Sequence, residues 1–324
     1  MRDWLDGHLR AASPPRPASS DASFRRYFRI DSDGTSYVLM DAPPAQEDCR
    51  PFVHVARWLA AQRLPAPRVL AEDLEQGFLL LSDLGAHTML DVLHAATTPA
   101  AALYDHAQEL LIALQGADQR RTLEVPDYTP ALLQREMDLF RDWYLRRHRG
   151  LDWGAAEEAA WAALCALLQA DIAQHPRVLV HRDYHSRNLM HQGAGRVAML
   201  DFQDAVRGSV CYDLISLLRD CYWQLDEAEY RARVEAYFLQ AQSMSILPRT
   251  LRLPAFRGHC ELMAVQRHLK ASGIFARLNL RDGKPGYLAD IPRTLGYVRA
   301  VCARRPEPEL AWLGGLLERD GVAA

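Results

Sequence analysis

Residues 178–204 read VLVHRDYHSRNLMHQGAGRVAMLDFQD. The apolar run 178–180 suits a short buried strand, and the polar run 181–187 interrupts it. Extended character resumes at 188–190, residues 192–195 supply a glycine turn, and 197–200 form a second apolar run. Asp183 and Asn188 therefore fall in a loop, and Asp201 falls just after a strand. These residue types suit phosphoryl transfer. A loop aspartate can take or orient the proton of an attacking hydroxyl. An asparagine amide oxygen and a second carboxylate can hold Mg²⁺ against nucleotide phosphates, because hard cations prefer oxygen ligands.

Working outward, the chain has 324 residues, enough for one large or two modest domains. Charged residues make up 24% and the net charge is −3, so no basic field draws the chain to nucleic acid or anionic lipid. Cys49, Cys165, Cys211, Cys221, Cys260 and Cys302 are scattered without a Cys-x-x-Cys pair. That pattern predicts free thiols in a reducing compartment. The first residues carry acids early and lack an apolar core, so they do not read as a signal peptide. No uncharged apolar run approaches membrane-spanning length, and a cytoplasmic location is expected.

Toward the N-terminus, a short helix is expected over 3–12, broken by the prolines at 14, 15 and 17. Residues 24–30 and 37–40 read as the strands of a hairpin with its turn at 31–35. A helix over 48–62 and two strands at 68–71 and 78–81 follow. In a kinase, a glycine-rich loop in the first hairpin covers the phosphates and a strand lysine reaches them. Here the corresponding loop, residues 19–23, has no glycine, and Met40 occupies the lysine slot. Ser23 could bring its backbone and hydroxyl near phosphate. Arg25, Arg26 or Arg29 would supply the missing positive charge, and the solvent face of a strand is the competing reading for each. Leu81, Ser82 and Asp83 leave an apolar strand of the small sheet through a short polar segment, which is how a kinase hinge presents backbone groups to adenine. Residues 1–83 are thus expected to form a nucleotide-binding lobe and residues 84–324 a helical lobe.

Beyond residue 87 the periodicity turns helical, with candidates over 88–93, 99–115, 130–149 and 155–174. After the catalytic stretch, Asp213 stands in the first turn of a helix, where it could accept hydrogen bonds from the catalytic loop. Helices over 227–243, 254–280, 292–302 and 307–319 follow. Residues 277–287, rich in charge and glycine, are expected to be a loop facing something polar.

The order His181-Arg182-Asp183, Asn188, then a strand ending in Asp201-Phe202, resembles the catalytic loop and metal-binding turn of the protein-kinase fold. With a small β lobe before it and a large α lobe after it, the chain resembles the aminoglycoside phosphotransferase branch of that superfamily. The implied fold is α+β, bilobal, with a small antiparallel β lobe. A narrower likeness rests on residues 23–29, 37–44, 269–278 and 281–284. These are similar to the bacterial anomeric kinases of cell-wall recycling, which phosphorylate the C1 hydroxyl of N-acetylmuramate and N-acetylglucosamine. The resemblance implies ATP and Mg²⁺ as cofactors, Asp183 as catalytic base, and Asn188 and Asp201 as metal ligands. Arg182, His185, Gln203 and Asp204, near the implied γ-phosphate, and Arg277, Asp282 and Lys284 in the C-terminal segment are the nominated sugar-binding residues.

Two other readings compete. A kinase for an amino alcohol or aminoglycoside would want a cluster of acids at its acceptor site, whereas the 277–284 segment mixes arginines and a lysine with Asp282. A non-catalytic nucleotide-binding regulator would fit Met40 and the missing glycines, but it has no need of Asp183, Asn188 and Asp201 together. No GxxxxGK[ST] or GxSxG motif occurs.

Overall fold

The computed structural model describes residues 1–10, 13–19 and 24–319. By packing, the chain divides into two compact units, one of residues 1–117 with 186–205 and the other of residues 118–185 with 206–324. This grouping places 84–117 and 186–205 with the sheet. The expectation draws the lobe boundary at 83/84.

The first unit holds a five-stranded antiparallel sheet in the order β1-β2-β3-β5-β4, formed by β1 (Arg16–Ser19), β2 (Arg26–Ser32), β3 (Thr35–Asp41), β4 (Val69–Asp73) and β5 (Phe78–Ser82). Strand alternation decides what each face carries. Phe28, Leu39 and Leu80 stand in one cross-strand row, on the face that joins Leu5, Ile30 and Phe78 in a buried cluster with Trp4. Arg29, Val38 and Leu81 stand in the next row, and that row lines a cavity. Between β4 and β5, Gly77 has φ +76°, and a Cβ there would lie 1.9 Å from the Ala42 carbonyl oxygen, so no side chain fits.

Helix α1 (Arg2–Asp6) is shorter than expected; Gly7 follows it. Helix α2 (Arg50–Ala61) buries Phe52, Val55, Ala56 and Leu59, the expected stripe, and the Phe52 ring lies tilted against Phe202 at 4.8 Å between centroids. Helix α3 (Met89–Ala95) starts with a reciprocal Thr88–Asp91 capping box. Helix α4 (Ala100–Arg120) crosses the boundary between the units. The hairpin β7 (Leu189–His191) and β8 (Val197–Met199) completes the first unit.

In the second unit α5 (Pro130–Leu139) continues as a π-helical segment, Phe140–His148, where a single α-helix is expected. Next come α6 (Ala155–Ile172) and β6 (Arg177–Val180). Strand β6 pairs with β9 (Val206–Ser209), a strand that composition did not reveal. Then follow α7 (Cys211–Leu218), α8 (Glu227–Ser243), α9 (Leu253–Asp282), α10 (Ile291–Cys302) and α11 (Pro308–Arg319). Helix α9 passes so close to the α5–π junction that a Cβ on Gly273 would lie 2.3 Å from the Leu139 carbonyl carbon. The 277–287 segment is not a loop throughout. Residues 277–282 are the last turns of α9, which ends at Gly283 in the left-handed conformation, and Pro285–Asp290 form a 3₁₀ turn. All six cysteines are buried free thiols.

Candidate active site

The cavity of the first unit has a volume of about 390 Å³. Tyr27, Arg29 and Val38 line it from β2 and β3, Leu81, Ser82 and Asp83 from the end of β5, and Asn188, Leu200 and Asp201 from the β7–β8 region. The segment leaving β5 is firmly held. Asp83 accepts from Arg29 Nε at 2.5 Å, Ser36 Oγ at 2.6 Å and the Gly85 N–H at 2.9 Å. Burial alone would raise its pKa; these bonds outweigh that and keep it below the usual carboxylate range. The Leu84 carbonyl accepts from Gln192 Nε2 at 2.5 Å and the Gly85 carbonyl from Arg29 at 2.7 Å. Asp83 is therefore a lock on this segment, while the helix cap after it belongs to Thr88.

Asn188 closes a one-turn 3₁₀ helix, Ser186–Asn188, and its carbonyl accepts from the Leu200 N–H at 2.8 Å. That backbone bond brings its amide to Asp201, with Nδ2 3.4 Å from Oδ2. Asp201 has φ +60°, a conformation costly for a non-glycine residue. Gln203 Nε2 donates to its Oδ1 at 2.6 Å, and an Arg25 guanidinium nitrogen lies 4.0 Å away. The donor chemistry here, a carboxylate beside an amide in a partly exposed position, fits a hard divalent cation.

The arginines of the β2 region divide by position. Arg25, 11% exposed, pairs with Glu47 at 3.1 Å and faces Asp201 and Asp204. Burial opposes its charge, yet Tyr27, Glu47, Asp201 and Asp204 raise its pKa above the ordinary value. Arg29 lines the cavity. Arg26 points to the other face, 64% exposed and paired with Asp41. Met40 is fully buried opposite Tyr27 and Leu79 and does not line the cavity. Ser23 lies outside the described residues.

The second unit carries the Asp183 loop. Asp213, in the first turn of α7, accepts the His181 N–H at 2.6 Å and the Arg182 N–H at 3.0 Å, the bonds expected of it. They hold Arg182 at φ +77°. Burial lifts the Asp213 carboxyl to about 7, against the pull of those two N–H bonds. Asp183 is partly exposed and sits among cations. Burial alone would raise its pKa, and Lys270, His185, Arg182 and His181 together bring it below the usual value.

Arg182, nominated as a substrate contact, turns its guanidinium into the protein. It bonds Glu136 Oε1 at 2.5 Å and lies over the Tyr128 ring at 5.8 Å. Lys270 Nζ reaches the same Glu136 oxygen at 3.1 Å and the Tyr212 hydroxyl at 2.8 Å, while Tyr128 donates its hydroxyl to Glu136. Sequence reading missed Glu136, Tyr128, Tyr212 and Lys270. The signal available was a lysine on the apolar face of a helix, between Leu269 and Gly273. His185 stacks edgewise on Tyr222 at 5.2 Å. Arg277 is half-buried on α9, Asp282 pairs with its neighbour Arg281 at 2.6 Å, and Lys284 follows the Gly283 cap. Asp204 is exposed.

Comparison with known proteins agrees with this chemistry. A phosphotransferase enzyme family model matches residues 15–252. An N-acetylmuramate/N-acetylglucosamine kinase of Pseudomonas aeruginosa is 50% identical, covering 93% of this chain and 87% of its own length. A kinase of the same name from Pseudomonas putida is 47% identical over 98% of this chain and 91% of its own. Among solved structures, a choline/ethanolamine kinase family protein from Mesorhizobium loti superposes with TM-score 0.62 at 16% identity, covering 97% and 99% of the two chains. An aminoglycoside phosphotransferase in a ternary complex with ADP and hygromycin B gives TM-score 0.57 at 18% identity, covering 93% and 97%. The structural neighbours establish an α+β kinase-like fold, and the sequence relatives go further: this chain is an enzyme of the phosphotransferase family.

Proposed function

We propose that the protein is an ATP-dependent kinase that phosphorylates the anomeric C1 hydroxyl of N-acetylmuramate and N-acetylglucosamine, in the recycling of cell-wall sugars in the cytoplasm. The observation that carries this reading is the 50% identity, along 93% of the chain, to a kinase named for those two sugars. The cavity beside Leu81–Asp83 supports a role in holding adenine, with residues 1–83 as the core of the nucleotide-binding lobe. Arg25, facing Asp201, is the best-placed replacement for the strand lysine that Met40 displaces.

Asp183 accepts the proton of the C1 hydroxyl as O1 attacks the γ-phosphorus. The bond from the γ-phosphorus to the bridging oxygen breaks, and ADP leaves with that oxygen. The cations around Asp183 keep it ionised and ready to receive the proton. Asn188 and Asp201 would hold Mg²⁺, which supplies charge neutralisation to the phosphates when bound. An anomeric hydroxyl is more acidic than an ordinary alcohol, so a single carboxylate suffices. Orientation and fixed charge carry the rest of the rate.

Measuring ADP release across a panel tests the reading. N-acetylmuramate and N-acetylglucosamine should stimulate release, while choline, ethanolamine and aminoglycosides should not. Release only with the cationic acceptors would favour an amino-alcohol or aminoglycoside kinase. Nucleotide binding with no release on any acceptor would favour a regulator.

A further inference from the structure

Three potential metal ligands converge in the second unit, two from the chain just before β6 and one from α9. Asp171 lies in the last turn of α6, His175 three residues beyond that helix, and His259 in the second turn of α9. Asp171 Oδ2 lies 2.8 Å from His175 Nε2, and Asp171 Oδ1 lies 2.8 Å from His259 Nδ1. One donor atom from each residue falls within 4.8 Å of the others. The imidazole centroids are 4.4 Å apart.

We propose that Asp171, His175 and His259 bind one divalent transition-metal ion of the zinc class, which fastens the end of α6 to α9. Two imidazoles and a carboxylate match a common zinc donor set, with water in the fourth position. In such a site the donors stand about 3.3–3.6 Å apart, as follows from metal–ligand distances of about 2.0–2.2 Å at tetrahedral angles. Each 2.8 Å contact therefore opens by about 0.5–0.8 Å. His175 also has the outer partner that metal-bound histidines require. Its Nδ1 meets Ser209 Oγ at 2.6 Å, so Nε2 is the nitrogen turned toward Asp171, and the proton it gives that carboxylate is the one a metal would displace. That hydroxyl is itself held by the Cys211 N–H at 3.1 Å.

Access and charge agree. The His175 side chain is fully buried, whereas those of Asp171 and His259 are each 16% exposed, leaving a route for an ion. Arg305 is the cation that senses Asp171, and it is engaged by Glu307 and by Glu261 at 3.6 Å. The competing account is a plain His–Asp–His hydrogen-bond relay.

Titration of the EDTA-treated full-length protein with ZnCl₂ separates the two. The proposal expects saturation at one equivalent and a rise in Tm. Changing an outer partner typically costs about 10–100-fold in affinity, so Ser209→Ala should bind about 10–100-fold more weakly. Loss of a ligand in His259→Gln should cost more than about 100-fold. Asp171→Asn should match His259→Gln and guards against misfolding of either variant. Kinase turnover with Mg²⁺ should persist in His259→Gln. No saturable zinc binding by the wild type, or binding unchanged in both His259→Gln and Asp171→Asn, overturns the proposal.

Discussion

The cavity of the sheet-bearing unit is presented by strand alternation: Arg29, Val38 and Leu81 form one cross-strand row, and the next row, Phe28, Leu39 and Leu80, turns to the core. The Asp183 loop is supported differently. Glu136 from α5 pairs with Lys270 from α9 and with Arg182 from the loop itself, and Asp213 from α7 accepts the loop's backbone N–H groups. One site depends on local periodicity, and its charged groups are partly solvated. The other depends on long-range ionic contacts, each of which is costly to break once buried. Substitutions in the two regions should therefore fail in different ways.

The largest effect belongs to Asp183→Asn. Loss of a general base costs about 10²–10⁴-fold in kcat, and nucleotide affinity should stay near wild type. Fluorescence titration with a nucleotide analogue, run beside steady-state turnover, checks both halves. Lys270→Met comes next. It leaves Glu136 with Arg182 alone, and breaking a buried ion pair costs about 3–5 kcal/mol at most. It also removes the cation that most lowers the Asp183 pKa, so the acid limb of kcat/KM should move to higher pH. A Tm loss without movement of that limb would assign Lys270 to stability alone.

The sheet side should respond through nucleotide affinity. Charge-assisted hydrogen bonds contribute about 1.5–3 kcal/mol, so Arg25→Ala should raise the nucleotide KM by about 10–100-fold. Arg26→Ala, on the exposed face with Asp41, should leave it nearly unchanged. Equal effects from the two would remove the distinction drawn from strand alternation.

The smallest effect is a pH slope. Burial alone would raise the Glu136 pKa, but Lys270 and Arg182 hold it below the ordinary value. A depressed carboxyl contributes its full stability above its unfolded pKa of about 4.3 and loses it as pH falls through the folded value. Thermal melts between about pH 5 and 3 should thus fall less steeply for Glu136→Gln than for wild type.

How much of this was legible in the sequence follows the same division. Short extended runs flanking turn residues gave β2, β3 and β5, and the polar residues between apolar runs placed Asp183, Asn188 and Asp201. Asp213 as a support for the catalytic loop could be read from its place at a helix start. Strand β9 could not, because Val206–Ser209 is a short run with a glycine and an arginine, and it becomes a strand by pairing with β6. The 277–287 segment misled because its charges and glycines suggest a loop, whereas α9 runs through Asp282 before Gly283 ends it. The α5 periodicity likewise gave no sign of its π-helical continuation. Glu136 and Lys270 are 134 positions apart, and no local pattern marks such a pair.

Phosphorus NMR of the product made from ATP and N-acetylmuramate is the most direct test of the central claim. A sugar phosphate resonance split into a doublet by H1, formed by the wild type and lost in Asp183→Asn, is the predicted result. Phosphate on any other hydroxyl, or the same C1-phosphate formed at the wild-type rate by Asp183→Asn, contradicts the account.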